Sequence, residues 1–355
     1  MSVKNSNLSE PQTVAVLRLS AIGDVVLCAS MVMHLSKCSG FKVFWITTIQ
    51  TKELLGEIPA VEYIIIPKPK NLRTFFECKR ILKNYTFDFL LLAQASFSAH
   101  FVSLCINSKL KIGFDSRRSK DLHRLFIQDR ISQAEEHFVD AYYSFSEKLG
   151  LDTPDAPSWN GLFNSNLTNP FHQFNLPADK LLLFVNPSSS KLERNWDAYS
   201  YVSVINYAHK NGLCVVIIGG NKVDELKFNQ QVTSGCENPP INLTGKIKLS
   251  ELPQLIKLCD ILMAPDTGAV HIATALKIPV IGLFAVANPD LTGPYRSSQF
   301  SVNRFELACE KFSKSKKFNF FGRIHDSRAM ALIKVEDVTA KLDQLIRYIS
   351  EEAKS

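Results

Sequence analysis

The chain has 355 residues, of which 46% are hydrophobic and 21% are charged, a composition that excludes a disordered protein. Its length predicts two domains of ordinary size, each able to bury its own core. The net charge of +7 is compatible with an anionic partner. The sequence has neither interleaved aromatic residues for base stacking nor a recognisable binding module, so nucleic acid is not an expected partner.

No apolar run approaches the roughly 18 residues that a membrane-spanning helix requires. The stretch from Met1 to Gln12 is polar and lacks the pattern of a signal peptide, so we expect a cytoplasmic protein. The eight cysteines form no C-x-x-C pair and mostly lie in apolar segments. They are therefore expected to be buried free thiols, which suits a reducing compartment.

Strand-like and helix-like segments alternate along the first half of the chain. Strands are expected near residues 13–18, 42–47, 62–66, 87–92 and 110–113. Helices are expected between them, and one is the amphipathic stretch from Leu72 to Asn84. This alternation predicts a parallel sheet with helices on both faces.

The second half repeats the alternation. Strands are expected near 180–186, 213–219, 241–243, 260–264 and 279–284. Helices are expected near 196–211, 223–233, 249–258, 268–277 and, last, from Val335 to Glu352. The polar, proline-bearing stretch 152–178 separates the halves and is typical of a linker. The sequence thus predicts an α/β protein with two parallel sheets.

The first turn that suggests chemistry lies in VAVLRLSAIGDVVLCAS, residues 14–30. An apolar strand leads through Ser20 to Asp24 and then into an apolar helix. The turn has one glycine, Gly23, and lacks the G-x-G-x-x-G spacing of a dinucleotide site, so a Rossmann dehydrogenase is not indicated. It places the Asp24 carboxylate at the tip of a strand, where ligands bind in open parallel sheets.

The second such turn lies in APDTGAVHIATAL, residues 264–276. A strand ends at Asp266, and a helix of small residues begins near Gly268. Free backbone N–H groups and the helix dipole make this a candidate phosphate site, to which Thr267 and His271 add hydrogen-bonding groups. An ordinary helix capped by Asp266 after a buried strand fits the same residues.

Together these segments resemble the signatures of glycosyltransferase family 9, the ADP-heptose:lipopolysaccharide heptosyltransferases. RLSAIGD resembles the N-terminal signature, and Asp266 to Phe284 resembles the C-terminal D-T-G-x-x-H signature. The resemblance extends to NPSSSKLERNWDAYSYV (186–202), VIIGG (216–220) and GFDSRRSKDLHRLF (113–126). Residues 305–330 resemble the subgroup that adds the first heptose to phosphorylated Kdo.

The resemblance implies a GT-B architecture, in which two Rossmann-like parallel-sheet domains face each other across a cleft. Residues 1–165 are then the acceptor-binding domain and residues 166–334 the nucleotide-sugar-binding domain. Residues 335–355 form a C-terminal helix that is expected to pack back on the N-terminal domain. The implied activity is inverting transfer of L-glycero-D-manno-heptose from ADP-heptose to Kdo, with or without phosphate, in the lipopolysaccharide inner core. The implied acceptor is Kdo-lipid A, reached by an enzyme peripheral to the inner membrane.

The donor site is expected to work without a metal or other cofactor, because the sequence has no D-x-D motif. The helix start at Asp266, Thr267 and Gly268 is expected to bind the diphosphate with its backbone amides. The resemblance makes Arg194 the charged clamp, although a surface charge beside a helix fits it too. It also assigns donor contacts to Ser189, Ser190, Asp224 (or its neighbour Glu225) for ribose, and Ile247 for adenine. His271 is expected to be a binding residue and not a catalytic acid, since a histidine in such a position more often satisfies a structural hydrogen bond than acts on substrate.

Asp24 is the candidate general base, and a mere helix cap is the alternative. Gly23 supplies the permissive backbone of that turn on the acceptor side. The acceptor's anionic groups suit the basic segment 109–130, because arginine forks bind carboxylate and phosphate. Its candidate contacts are Arg117, Arg118, Lys120, His123 and Arg124.

Two other classes of function remain open at this point. One is a nucleotide-sugar epimerase of the same shape, which typically needs a second set of acid and base residues that the sequence does not reveal. The other is a non-catalytic nucleotide-sugar-binding protein, which has no need of the Asp24 carboxylate.

Overall fold

The computed structural model describes residues 10–119, 122–163, 174 and 176–352. The first sheet is built from β1 (Gln12–Leu17), β2 (Phe41–Thr47), β3 (Val61–Ile65), β4 (Thr86–Leu92), β5 (Asn107–Gly113) and β6 (Asp129–Arg130). Its strand order is β3-β2-β1-β4-β5-β6, and every pairing is parallel. Its helices are α1 (Ile22–Leu35), α2 (Ile49–Leu55), α3 (Leu72–Leu82), α4 (Phe97–Ser103) and α5 (Phe138–Lys148).

The second sheet is built from β7 (Leu182–Val185), β8 (Cys214–Ile217), β9 (Ile241–Asn242), β10 (Ile261–Pro265), β11 (Val280–Phe284) and β12 (Val302–Asn303). Its order is β12-β11-β10-β7-β8-β9, again with parallel pairing. Its helices are α6 (Ala198–Lys210), α7 (Val223–Gly235), α8 (Leu252–Ile256), α9 (Gly268–Ala275), α10 (Pro289–Thr292), α11 (Phe305–Phe312) and α12 (Val335–Glu352). Short 3₁₀ turns lie at His123–Phe126, Leu192–Arg194, Ser298–Phe300 and Ser327–Leu332.

The central strands β1, β7, β10 and β11 are largely apolar because both faces of each sheet are covered. In β1, Val14 and Val16 point into one core while Ala15 and Leu17 point into another. The first of these cores is continuous between the two sheets, since it also contains Phe184 of β7 and residues of α1, α5 and α9. The cleft-facing helices of the two domains are therefore packed on each other.

Two outer layers complete the architecture. Helices α3 and α4 cover the outer face of the first sheet through Cys78, Leu82, Ala99 and Val102. Helices α6, α11 and α12 cover the outer face of the second sheet. The prediction of two Rossmann-like parallel-sheet domains of an α/β protein is confirmed.

The predicted strands and helices are found within a few residues of their expected ends. The sequence analysis does not predict the two-residue strands β6 (Asp129–Arg130) and β12 (Val302–Asn303), since neither lies in an apolar run. Helix α8 is shorter than expected and begins at Leu252, because Pro253 belongs in a first helical turn and not inside a helix.

Among the described residues, the C-terminal helix α12 packs on the second domain and not on the N-terminal one, so the prediction that it packs back on the N-terminal domain is wrong. Its apolar stripe of Val338, Leu342 and Leu345 is buried in the core of the second domain. The Tyr207 hydroxyl of α6 donates to the Asp343 carboxylate at 2.9 Å, which fixes α12 beside α6. The outer face of the second sheet, which α6 and α11 also cover, thus provides the apolar surface for its stripe.

The described part of the stretch 152–178 is also not a loose linker. Trp159 Nε1 donates to the backbone oxygen of Val26 at 2.7 Å, and Phe163 N donates to that of Leu55 at 3.2 Å. Gln254 Nε2 of the second domain donates to the Phe163 oxygen at 2.6 Å. The segment after α5 therefore ties the domains together.

All eight cysteines are free; six of them are buried as expected, whereas Cys38 and Cys214 are half-buried. Burial raises the pKa of the Cys28 thiol to about 12, so this thiol stays protonated. None of the helices in the described ranges is both long and apolar enough to cross a membrane.

Candidate active site

Asp24 lies in the first turn of α1, directly beyond the carboxyl end of β1. Its carboxylate forms an ion pair with Arg18 Nη2, and about a third of its side chain (35%) is exposed. Arg18 itself is buried, and its Nη1 donates to the backbone oxygen of Ala93 at 2.6 Å. Burial opposes the charge of Arg18, but Asp24, together with Tyr142 and Cys28, favours it, and the net effect raises the pKa of Arg18. A charged, anchored guanidinium therefore fixes the carboxylate in place.

The loop between β1 and α1 is held by Gln94, which follows β4. Gln94 Oε1 accepts hydrogen bonds from Leu19 N at 2.8 Å and Ser20 N at 3.2 Å. Its Nε2 donates to Ser96 Oγ at 2.8 Å, and Ser96 is the N-cap of α4. The segment after β4 thus holds the loop that leads from β1 to Asp24.

The second turn lies where β10 meets α9. Thr267 is the N-cap of α9, but its side chain makes no capping hydrogen bond, so the first backbone N–H groups of the helix are left for another acceptor. Arg194 Nη1 donates to the Asp266 backbone oxygen and lies beside its carboxylate, both at 3.1 Å. A positive charge is therefore fixed next to the positive end of a helix dipole.

The N-termini of α1 and α9 meet face to face. A Cβ atom built on Gly23 would lie 2.2 Å from His271 Cδ2, and one built on Gly268 would lie 2.9 Å from Ile22 Cγ2. Both glycines are therefore required for this close approach. The contact brings Asp24 of one domain to the candidate phosphate site of the other.

His271 is buried in this contact, with Nε2 3.9 Å from Asp266 Oδ1. Burial lowers the pKa of His271, while Asp266 and Asp24 act in the opposite direction. The ring is therefore neutral near pH 7. Its Nδ1 atom is buried and has no hydrogen-bond partner in the part of the chain that the structure describes.

The serines that follow β7 differ in burial, and the two predicted donor residues are the less buried ones. Ser189 N donates to Asn195 Oδ1 at 2.7 Å, and Ser190 is exposed beside it. The preceding Ser188 is buried and donates to Asn229 Oδ1 at 3.0 Å, which braces the base of this loop. The predicted Ser189 and Ser190 thus lie at the surface of the loop.

The two candidate ribose carboxylates differ in their surroundings. Asp224 is exposed in the first turn of α7, whereas Glu225 folds back so that its Oε1 accepts from Gly220 N at 2.8 Å. Ile247 is half-buried and packs against the central core. The segments after β8 and β9, which carry these residues, lie at the carboxyl edge of the second sheet, where α9 also begins.

Of the predicted acceptor-binding arginines, the structure buries Arg118 and leaves Arg117 and Arg124 exposed. Arg118 is buried, with Nη1 2.6 Å from Asp115 Oδ2 and Nη2 donating to the Ala134 and Glu136 backbone oxygens. The prediction that Arg118 contacts an acceptor is therefore corrected, because no Nη group faces solvent. Arg117 and Arg124 are exposed, and Lys120 lies outside the described residues.

The predicted acceptor contact of His123 is corrected in the same way. His123 is buried, Phe114 N donates to its Nε2 at 3.0 Å, and its Nδ1 lies 2.8 Å from His100 Nε2. Burial lowers its pKa to about 4, so the ring is neutral at pH 7. Both ring nitrogens are already used inside the domain.

Sequence reasoning missed Arg18, Gln94 and Ser188. The sequence did indicate a role for Arg18, because a single charged residue directly after a buried apolar strand is stable only when it is paired. Gln94 and Ser188 also follow buried strands directly, at the sheet edge where ligands bind. Polar side chains at strand ends were thus the informative pattern.

Two parallel-sheet domains that meet through helix N-termini, with a carboxylate on one side and an arginine on the other, are the arrangement expected of the GT-B fold. The chain belongs to glycosyltransferase family 9 (heptosyltransferase), whose model matches residues 75–320. The resemblance seen in the sequence is thereby confirmed, and the protein is a glycosyltransferase.

Individual relatives agree with this assignment. The lipopolysaccharide core heptosyltransferase OpsX of Haemophilus influenzae is 32% identical over 339 residues, which cover 94% of this chain and 97% of OpsX. A family 9 glycosyltransferase structure from Veillonella parvula superposes with a TM-score of 0.76 at 20% identity, covering 97% of this chain and all (100%) of that one. The E. coli heptosyltransferase WaaC with ADP superposes at 0.70 with 16% identity, covering 94% and 99%.

Proposed function

We propose that the protein transfers L-glycero-D-manno-heptose from ADP-heptose to Kdo in the lipopolysaccharide inner core, with inversion and without a metal ion. The similarity to OpsX, a lipopolysaccharide core heptosyltransferase, supports the acceptor class. The WaaC structure of the same fold was determined with ADP, which supports the donor class. The observation that carries the proposal is the contact of α1 with α9, which brings a carboxylate to a phosphate-binding helix start.

The diphosphate of the donor binds at the N-terminus of α9. The uncapped N–H groups of the helix donate to phosphate oxygens, and Arg194 supplies a full positive charge. Because Asp266 already holds Arg194 at this position, no rearrangement of a flexible side chain is needed. The site therefore stabilises the negative charge that ADP gains as it leaves, which is the role that metal ions have in other glycosyltransferases.

The acceptor hydroxyl is activated by Asp24. In a single displacement, its oxygen attacks the anomeric carbon as the bond to the diphosphate breaks, and its proton passes to the Asp24 carboxylate. Attack from the face opposite the leaving group inverts the anomeric configuration. Arg18 keeps the carboxylate directed at the acceptor and does not touch the sugar, so it is a positioning residue.

The acceptor is a lipid-linked sugar in this proposal, bound on the first domain beside the exposed Arg117 and Arg124. The enzyme then works at the surface of the inner membrane. The eight free cysteines support a reducing compartment and hence the cytoplasmic face.

The decisive experiment compares Asp24→Asn with wild type, using ADP-heptose and a Kdo-lipid A acceptor. Turnover is expected to fall by about 100-fold or more while ADP affinity changes only a few-fold. Glu306→Gln, which changes an exposed carboxylate in the first turn of α11, is the matched control. Near-normal turnover of a folded Asp24→Asn protein would show that Asp24 is not the base.

The products of the same reaction test the remaining statements. Transfer with inversion supports the proposal, whereas isomerisation of the donor would indicate an epimerase, and binding without turnover a non-catalytic protein. Activity is expected to survive exhaustive treatment with EDTA. Complete loss on chelation, restored by a divalent ion, would overturn the metal-free mechanism.

A further inference from the structure

Helices α3 and α4 carry large apolar side chains on their solvent side, away from the first sheet. Five such side chains are more than half exposed: Leu72, Phe76, Phe97, Phe101 and Leu104. Apolar surface of this extent on a folded domain is a mark of an interaction site. We call these five residues and the basic residues between them the α3–α4 patch.

The spacing of these residues places them on continuous stripes. Phe97, Phe101 and Leu104 are separated by four and three positions, so they lie on one face of α4. Leu72 and Phe76 have the same relation on α3. The ring of Phe75 joins the two helices, since its centroid is 5.8 Å from that of Phe76 and 6.4 Å from that of Phe101.

The patch is positively charged as well as apolar. Lys79 and Lys83 continue the stripe of Leu72 and Phe76 at the same helical spacing, and Arg73 and Arg80 lie beside it. Glu77 is the one acidic residue between positions 68 and 83. Such long basic side chains keep their ammonium or guanidinium groups in an anionic headgroup layer while the apolar side chains enter below it.

The patch is also continuous with the candidate active site. Ser96 caps α4 and accepts from Gln94, which holds the loop that leads to Asp24. On the α3 side, Lys68 Nζ donates to Ser20 Oγ of that loop at 3.3 Å. A flat anionic surface that touched the patch would thus lie beside the acceptor side of the cleft.

We propose that the α3–α4 patch docks the protein on an anionic phospholipid bilayer, with Phe and Leu side chains inserted and Lys and Arg side chains on the headgroups. The charge complementarity of the patch to anionic lipid is what commits it to this partner. The proposal rests on the proposed function only in that the acceptor is lipid-linked. Docking would then present the acceptor to the cleft without its leaving the membrane.

The test is flotation of the full chain with vesicles of phosphatidylcholine containing phosphatidylglycerol, compared with phosphatidylcholine alone. Wild type is expected to prefer the anionic vesicles and to dissociate as salt rises. Phe76→Ser/Leu104→Ser should lower the partition coefficient by about tenfold or more. Lys79→Gln/Lys83→Gln should lower it by about 25-fold, since each basic residue contributes about fivefold near an anionic surface.

The matched control is Tyr199→Ser on α6, which removes an even more exposed aromatic side chain from the other domain and should leave binding unchanged. Equal binding of wild type to both kinds of vesicle, or equal binding of the patch variants and wild type, would overturn the proposal. It would also fail if sedimentation showed a wild-type dimer that Phe76→Ser/Leu104→Ser dissociates, because the patch would then cover a second copy.

The vesicles contain neither donor nor acceptor, so this result is independent of the transfer reaction. Turnover of a deacylated, water-soluble acceptor should be the same in the patch variants and wild type. Failure to transfer heptose with intact vesicle binding would refute the proposed function and leave the docking surface standing.

Discussion

The Cα of Gly23 in α1 lies so close to the imidazole of His271 in α9 that no side chain fits between them. The two residues belong to different domains and to the two motifs that stand out in the sequence. Their contact is therefore the point where the acceptor-side carboxylate and the donor-side helix start are brought together.

Replacing Gly23 by alanine tests this contact. The new methyl group would overlap the His271 ring, so the domains must separate slightly or the ring must turn away. We expect a loss of roughly 1–3 kcal/mol in the free energy of unfolding and a clear fall in turnover. Gly40→Ala is the control, because a Cβ on the exposed Gly40 meets nothing within 4 Å. In Gly23→Ala/His271→Ala the stability loss should be smaller than the sum of the single losses, and strict additivity would contradict the contact.

The clamp at the donor site gives a second prediction. Arg194→Ala removes the charge beside the N-terminus of α9, so ADP binding should weaken by about 10- to 150-fold, the value of one charge-assisted phosphate contact. Arg194→Lys should recover only part of this loss, because an ammonium group lacks the guanidinium fork. Arg328→Ala, at a largely exposed arginine paired with Asp326, is the control. Calorimetry with ADP measures all three, and equal affinity of Arg194→Ala and wild type would place the clamp elsewhere.

The sequence predicted the strand–helix alternation because strands buried on both faces read as apolar runs. It also located both turns of the site, because Asp266 follows such a run directly and Asp24 lies in the turn that leads from one into α1. It did not reveal how the turns meet. The two turns meet because Gly23 and Gly268 have no side chain. Only the structure shows that Gly23 packs against His271 and Gly268 against Ile22 of the facing helix.

In the basic segment 109–130, the sequence did not distinguish a buried arginine from an exposed one. Arg117 and Arg118 are indistinguishable in a sequence as candidates for an anionic acceptor. The fold gives Arg118 a buried carboxylate, Asp115, and leaves its neighbour exposed. Which arginine is buried depends on the turn geometry of this loop and not on composition or periodicity.

A third prediction follows from this division. Arg118→Met leaves the Asp115 carboxylate buried without its partner, so the free energy of unfolding should fall by about 3–5 kcal/mol. Where the variant stays folded, the KM for the acceptor should be unchanged. Arg117→Met should behave in the reverse manner, with unchanged stability and a higher acceptor KM. Urea denaturation and acceptor kinetics decide the matter, and an Arg118→Met protein as stable as wild type would show that the ion pair contributes nothing.

The last prediction concerns the dependence of stability on pH. His137 of the first domain lies with Nε2 3.0 Å from the Gly293 backbone oxygen of the second, while its Nδ1 accepts from Val139 N at 3.1 Å. Burial lowers the pKa of His137 to about 3 and that of His123 to about 4. Both rings are therefore neutral in the folded protein throughout the range in which an unfolded histidine, with a pKa of about 6.5, takes up a proton.

Because the folded-state pKa values lie below the unfolded one, the unfolded chain binds more protons as the pH falls. The stability contribution of each ring is complete above pH 6.5 and is lost progressively down to its folded pKa. Each histidine should cost about 1.4 kcal/mol per pH unit below about pH 6, so the two together lower the free energy of unfolding by about 3 kcal/mol between pH 6 and 5.

Urea denaturation across pH 8 to 5 measures this slope. His137→Gln removes one titrating group, so its profile should be flatter than that of wild type by about 1.4 kcal/mol per pH unit, whatever its stability at pH 8. A profile parallel to wild type would show that the pKa of His137 is not lowered in the folded protein.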